Sequence, residues 1–192
     1  LVTAMGKMFK EAATPEDIEI LARNKVSVVT NPASNMKLGN GFAPIPAMLE
    51  AGVNVCLGTD GAASNNSLNM FHELSLLTLI HKGVGCTAQC ISAKDGFKIA
   101  TVNGARALRM EDTIGSIEIG KKADLAILNL KNPSLQPNNN LIAGLSYSAN
   151  GSEVETVIID GVVTMRDRQV LTMDEERVYY EINRIISRMG LD

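Results

Sequence analysis

The sequence predicts an α/β fold with two parts: βα units up to about residue 113, then a small β-rich module over 114–192 that ends in a helix. Two observations carry this. Short Val-rich runs, Val26–Thr30 and Val53–Leu57, are each preceded by a helical pattern and broken by turn residues, as buried parallel strands are. From Ile114 the helical period gives way to short alternating runs joined by tight turns.

In chain order, Met5, Met8 and Phe9 suggest an amphipathic turn within Leu1–Ala13. Thr14-Pro15-Glu16-Asp17 reads as a helix start, with Thr as N-cap, Pro at the first helical position and acids in the first turn. That helix extends to about Asn24 and buries Ile18, Leu21 and Ala22. After Val26–Thr30, the stretch Asn31–Phe42 reads as a long loop rich in Asn, Ser and Gly. Pro44–Ala51 is a short helix stopped by Gly52, which delivers the chain to Val53–Leu57. A right-handed crossover between these strands brings Asn31–Asn35 and Asp60–Asn66 to one edge of the sheet.

Leu68–Lys82 is a helix by its spacing of Met70, Phe71, Leu74, Leu77 and Ile80, followed by helical pieces over Ser92–Thr101 and Gly104–Leu108. Cys86 and Cys90 stand one turn apart if their stretch is helical. In the second part, Leu125–Leu130 is a strand, Asn132–Asn140 a loop and Leu141–Leu145 a turn of helix. Glu153–Ile159, Val162–Arg166 and Gln169–Thr172 form an antiparallel meander with a type I′ turn at Asp160-Gly161. Asp174–Met189 is an amphipathic helix with Val178, Ile182, Ile185 and Ile186 inward.

Composition narrows the function classes. A net charge of −3 with mixed signs gives no basic footprint for nucleic acid or an anionic membrane. No run is long and apolar enough to span a bilayer, and the start lacks the order of a signal peptide, so a cytoplasmic protein is expected. Three cysteines do not suggest a disulfide framework. The only two histidines, His72 and His81, fall on one helix at a spacing that does not make a zinc pair. Asp60, just past the Val53–Leu57 strand, sits where α/β proteins place their chemistry, although an aspartate there can equally cap the following turn.

Several blocks in order carry a resemblance: NPASNMKLGNGFAPIPAMLEAGVNVCLGTDGAASNN, IATVNGARAL, IGSIEIGKKADLAIL, YSANGSEVETVIIDG and the closing helix. From about Thr14 onward the chain resembles the C-terminal part of the metal-dependent amidohydrolases. The nearest branch is the 5-methylthioadenosine/S-adenosylhomocysteine deaminases, with triazine chlorohydrolases and guanine deaminases as relatives. The resemblance implies the last two strands, with their helices, of a (β/α)8 TIM-like barrel, Val26–Thr30 and Val53–Leu57 being the seventh and eighth. Part of a small β-sandwich and a C-terminal helix follow. It implies a hydrolytic deaminase of adenosine-type nucleosides that uses a Zn²⁺-activated water. Asp60 then matches the aspartate that ligates the metal and takes the proton of that water. Ser34 and Asn35 fall on the loop that borders the substrate base in this frame, or else satisfy that loop's own backbone.

The departures from the family pattern are as informative. Its His-x-His, its His and Glu from the fifth strand and its His from the sixth have no counterpart in this chain, which would begin near the end of the sixth strand. Thr30 stands where many relatives carry His. One carboxylate does not hold a catalytic Zn²⁺, so the expectation is a piece of an enzyme, inactive alone. Its unpaired sheet edges would be covered by another copy of the chain or by the rest of the barrel. The alternatives are an inactive scaffold or partner subunit, or a chlorotriazine or guanine hydrolase fragment.

Overall fold

The computed structural model describes residues 2–3, 13–85 and 87–190. By its contacts the chain divides into two compact units, Leu1–Lys121 with Leu130–Ser152, and Lys122–Asn129 with Glu153–Asp192. The expected turn at Met5, Met8 and Phe9 and the one-turn spacing of Cys86 and Cys90 involve residues outside the described ones. Cys90 itself lies in a bend beyond the helix that precedes it.

The first unit is built on a parallel sheet of three strands in the order β1 (Val2–Thr3), β2 (Ser27–Thr30), β3 (Asn54–Leu57). This is one strand more than the sequence reading counts, because a two-residue strand shows no periodicity. Helix α1 (Pro15–Arg23) leads into β2 and starts at the expected Thr14 N-cap, which the structure completes as a capping box: Thr14 Oγ1 accepts from the Asp17 N–H, and the Asp17 carboxyl accepts from the Thr14 N–H. The β2–β3 register runs from Ser27↔Asn54 to Thr30↔Leu57. Val55, Cys56 and Leu57 are all buried, as a strand covered on both faces requires. Burial also pushes the Cys56 thiol above its ordinary pKa.

Between the strands lie α2 (Pro32–Lys37) and α3 (Ile45–Glu50). The stretch Asn31–Phe42 is therefore not all loop. Pro32 at the first helical position starts a turn and a half of helix, a signal hidden by the surrounding Asn and Gly. Gly52, at φ +80°, then turns the chain into β3. Helices α4 (Met70–Gly85), α5 (Ala93–Ala100) and α6 (Val102–Ala107) follow, and α5 begins at Ser92, whose hydroxyl accepts the Asp95 N–H. The core gathers Val28 and Val55 from the sheet with Ile45, Met48, Leu77 and Ile99 from the helices. Asn103 of α6 donates from Nδ2 to the Val55 carbonyl at 2.8 Å, covering a backbone acceptor on the outer side of β3.

Strand β4 (Leu125–Leu128) belongs to the second unit, and the chain then returns to the first through α7 (Leu141–Tyr147). Helix α7 packs on α4 and α5, with Ser146 Oγ donating to the Ala93 carbonyl at 3.1 Å. The second unit is an antiparallel sheet in the order β4, β5 (Val154–Ile159), β6 (Val162–Arg166), β7 (Gln169–Val170). Asp160 and Gly161, at φ +51° and +79°, make the hairpin turn as a type I′ turn requires. Asp124 Oδ1 accepts the Asp160 N–H at 2.6 Å and Lys122 pairs with the Asp160 carboxylate at 2.8 Å.

Helix α8 (Glu175–Met189) forms as expected, capped by Asp174, but its apolar stripe is not inward. Val178, Ile182 and Ile185 are 40, 47 and 50 % exposed, and the helix buries no residue. Periodicity sets which residues share a face; within its own unit this face of α8 is left largely uncovered, and of the four residues expected inward only Ile186 is half-buried. Among the described residues no helix is long and apolar enough to cross a membrane.

The end of β3 depends on a residue with no side chain. A Cβ on Gly58 would lie 2.6 Å from Asn31 Oδ1 and 2.9 Å from Val29 Cγ1. Gly58→Ala is therefore expected to destabilise the chain by about 1–3 kcal/mol through overpacking, read as a lower urea midpoint at unchanged slope.

Candidate functional site

The site lies beyond the C-terminal ends of β2 and β3. The Gly58 N–H donates to the Thr30 carbonyl at 3.0 Å, holding the two strand ends together one residue past β3. Two residues later Asp60 adopts φ +61°, a left-handed conformation uncommon for a residue with a side chain, though Asp tolerates it better than most. Its carboxylate is exposed to solvent on one side and held by donors on the other. Ser34 Oγ, on α2, donates to Asp60 Oδ2 at 2.7 Å, and the Gly61 N–H donates to Oδ1 at 2.8 Å.

Of the expected site residues, Asp60 and Ser34 are thus brought into contact across the two strand-end segments. Ser34 is buried, with its hydroxyl directed at the carboxylate. Asn35 is placed differently. Its N–H is used by the Asn31 carbonyl and its own carbonyl by the Asn40 N–H, and it borders a hollow of about 10 Å³ with Thr30, Phe42 and His81. That hollow has room for about one water molecule. Both histidines lie on α4, as their spacing implies: His72 is exposed, and burial pushes the His81 imidazole below its ordinary pKa.

Sequence reasoning missed two members of this constellation. Glu73 is fully buried on α4, where Oε2 accepts the Ala33 N–H at 3.0 Å and Oε1 accepts Asn65 Nδ2 at 2.6 Å. Asn65, also buried, donates from the same Nδ2 to the Thr59 carbonyl at 2.8 Å. The signal was available: Glu73, Leu77 and His81 are spaced four apart on the buried stripe of α4, and an acid at a core position needs a partner. Asn31 Oδ1, buried against Gly58, has no hydrogen-bond partner.

The chemistry open to these residues is set by Asp60. The Ser64 hydroxyl, the Ser34 hydroxyl and the Gly61 N–H together hold its carboxyl below the usual carboxylate range. Ser34 and Gly61 make the short direct bonds, whereas Ser64 Oγ is directed to the Gly61 carbonyl at 3.0 Å and acts on the carboxylate as a neighbouring dipole. An ionised carboxylate with an open solvent side can accept a proton or bind a cation. It does not suffice for a zinc site, which takes at least three protein ligands. Among the described residues no group of three or more His, Cys, Asp or Glu is placed to hold a metal, so the residues present do not fit one by themselves.

The direction of the Asp60 shift fixes a pH dependence. Its folded pKa is depressed, so these bonds contribute stability at neutral pH, above the unfolded value near 4, and lose it as pH falls through the folded value. Exposure to solvent keeps that contribution small. Ser34→Ala is expected to move the Asp60 carboxyl up toward the ordinary value, measured by carboxyl carbon NMR between about pH 2 and 6.

The amidohydrolase family profile matches residues 3–164 of the chain. The 5-methylthioadenosine/S-adenosylhomocysteine deaminase of Caldanaerobacter subterraneus subsp. tengcongensis is 53 % identical over 171 residues, which are 89 % of this chain and 40 % of that protein. The 5′-deoxyadenosine deaminase of Methanocaldococcus jannaschii is 46 % identical over 166 residues, 86 % of this chain and 39 % of that one. A zinc-bound adenosine deaminase from Xanthomonas campestris superposes with a TM-score of 0.89 at 37 % identity, covering 93 % of this chain and 41 % of its own. A zinc complex of atrazine chlorohydrolase from Arthrobacter aurescens superposes at 0.83 and 27 % identity, covering 90 % and 38 %. The chain thus spans about two-fifths of the length of the relatives it matches. With its profile match, its identity to the deaminases and its shared α/β fold, the chain belongs to the amidohydrolase family.

Proposed function

We propose that this chain carries the strand-end carboxylate of a hydrolytic deaminase of adenosine-type nucleosides. The observation that supports this most is the Ser34–Asp60 contact of 2.7 Å beyond the C-terminal ends of two parallel strands. It joins a depressed, solvent-facing carboxylate to a buried hydroxyl. The relatives named as 5-methylthioadenosine/S-adenosylhomocysteine and 5′-deoxyadenosine deaminases support the substrate class.

In this reading Asp60 accepts the proton of the water that attacks the amine-bearing ring carbon, then passes it to the ring's amino group, which leaves as ammonia. Ser34 orients the carboxylate by donating to Oδ2 and the Gly61 N–H by donating to Oδ1, so the exchange uses the remaining acceptor positions on its solvent side. Asn35 borders the substrate base. Zinc, and the remaining ligands it needs, belong to the complete enzyme. In the same reading β1, β2 and β3 are consecutive strands of a (β/α)8 barrel, and β4–β7 are part of a β-sandwich. The barrel part proper ends near residue 113, although the compact unit to which it belongs runs on to Lys121 and takes in Leu130–Ser152. The free edges of the parallel sheet and the exposed stripe of α8 are covered by the rest of such a protein or by a second copy.

Complementation tests this. The chain alone is expected to bind no stoichiometric zinc and to release no ammonia from 5-methylthioadenosine. Mixing it with the remaining segment of the Caldanaerobacter relative should restore both, and Asp60→Asn should lower the restored rate by about 10²–10⁴-fold. Zinc analysis by mass spectrometry and a coupled ammonia assay read the outcome. A folded, associated mixture with no ammonia release would overturn the deaminase reading in favour of a scaffold without activity.

A further inference from the structure

We propose that Glu73 is the positioning residue of this site: its buried carboxyl group ties together the two strand-end segments that bring Ser34 and Asp60 into contact. The proposal rests on the reading above only in treating Asp60 as the working group. Glu73 has no exposed surface, and each of its oxygens is used by a different segment. Oε2 takes the Ala33 N–H at 3.0 Å from the segment after β2, and Oε1 takes Asn65 Nδ2 at 2.6 Å from the segment after β3.

Each bond leads to Asp60 by a short path. Ala33 immediately precedes Ser34, whose hydroxyl donates to Asp60 Oδ2. The Ala33 N–H belongs to the first turn of α2, where amides lack partners within the helix. Asn31, the residue at the N-cap, supplies no side-chain bond, so Glu73 caps this helix from forty residues away in sequence. On the other path, Asn65 Nδ2 also donates to the Thr59 carbonyl, which fixes the peptide entering Asp60 in its left-handed conformation. One side of the carboxylate is thus set through α2 and its backbone through Asn65, both from a single buried group. Helix α4, sixteen residues long and packed into the core through Leu74 and Leu77, is the rigid element behind it.

An apolar residue of similar shape at position 73 would fill the same volume and spare the burial of a carboxyl, but would tie neither segment. Positioning, rather than packing alone, is therefore what the carboxyl adds.

Amide resonances and hydrogen exchange of the chain, read by NMR, test this without turnover, so loss of the deaminase reading and loss of this proposal are separate results. Glu73→Gln keeps the shape but has one acceptor oxygen, so its amide N–H₂ must face either the Ala33 N–H or the Asn65 amide. Asn65 cannot rotate to relieve this without surrendering its bonds to Thr59 and to the Ser67 N–H. The expected result is exchange at Ala33 or at the Asn65 side chain faster by about tenfold or more, with displaced amide resonances at Ser34, Asp60 and Gly61. The strand amides of Val29 and Val55 should keep their protection. Unchanged resonances at Ser34, Asp60 and Gly61 in a folded Glu73→Gln chain would overturn the proposal. Should that variant not fold, Asn65→Ala decides. Displacements that reach Ala33 and Ser34 through Glu73 support the clamp, and displacements confined to residues 59–67 overturn it.

Discussion

Parallel pairing of β2 with β3 is the constraint from which the rest follows. Four residues of each strand match in register, Ser27 with Asn54 through Thr30 with Leu57, so both strands leave the sheet at the same end. An antiparallel pair would have sent Asn31 and Gly58 to opposite ends. The crossover through α2 and α3 also supplies the apolar residues, Ile45 and Met48, that bury the strands, so the element that closes the core places the site. Gly58 shows how tight this arrangement is: the chain passes so close to Asn31 and Val29 that no side chain fits there.

Around Asp60 the structure combines exposure in front with order behind. The carboxylate faces solvent, while Ser34, Gly61, Thr59 and, through them, Asn65 and Glu73 fix its position. A carboxylate held this way keeps one orientation, whereas one free to rotate would lose orientational freedom at each encounter. The chain belongs to the amidohydrolase family and spans about two-fifths of the length of the relatives it matches.

Much of this was legible beforehand, for identifiable reasons. Thr14-Pro15-Glu16-Asp17 is a local code, and it makes the helix start it spells. Asp160-Gly161 demands left-handed backbone at both positions, and the hairpin follows. Asp60 stood out because an acid just past a Val-rich run is a positional signal. Other features had no local code. Strand β1 is too short to show a period, and α2 was masked by its Asn and Gly neighbours although Pro32 announced it. The stripe of α8 was read correctly as a face and wrongly as an inward one.

The sequence by itself determined most of the helices and strands, the turns that join them and the family the chain belongs to, because propensity, capping and turn chemistry act over a few residues. Only the tertiary structure decided that Ser34 meets Asp60 while Asn35 does not, and that Glu73 reaches two segments at once. Those contacts join residues 26, 40 and 8 positions apart, and the register of the sheet and the seat of α4 against it set them.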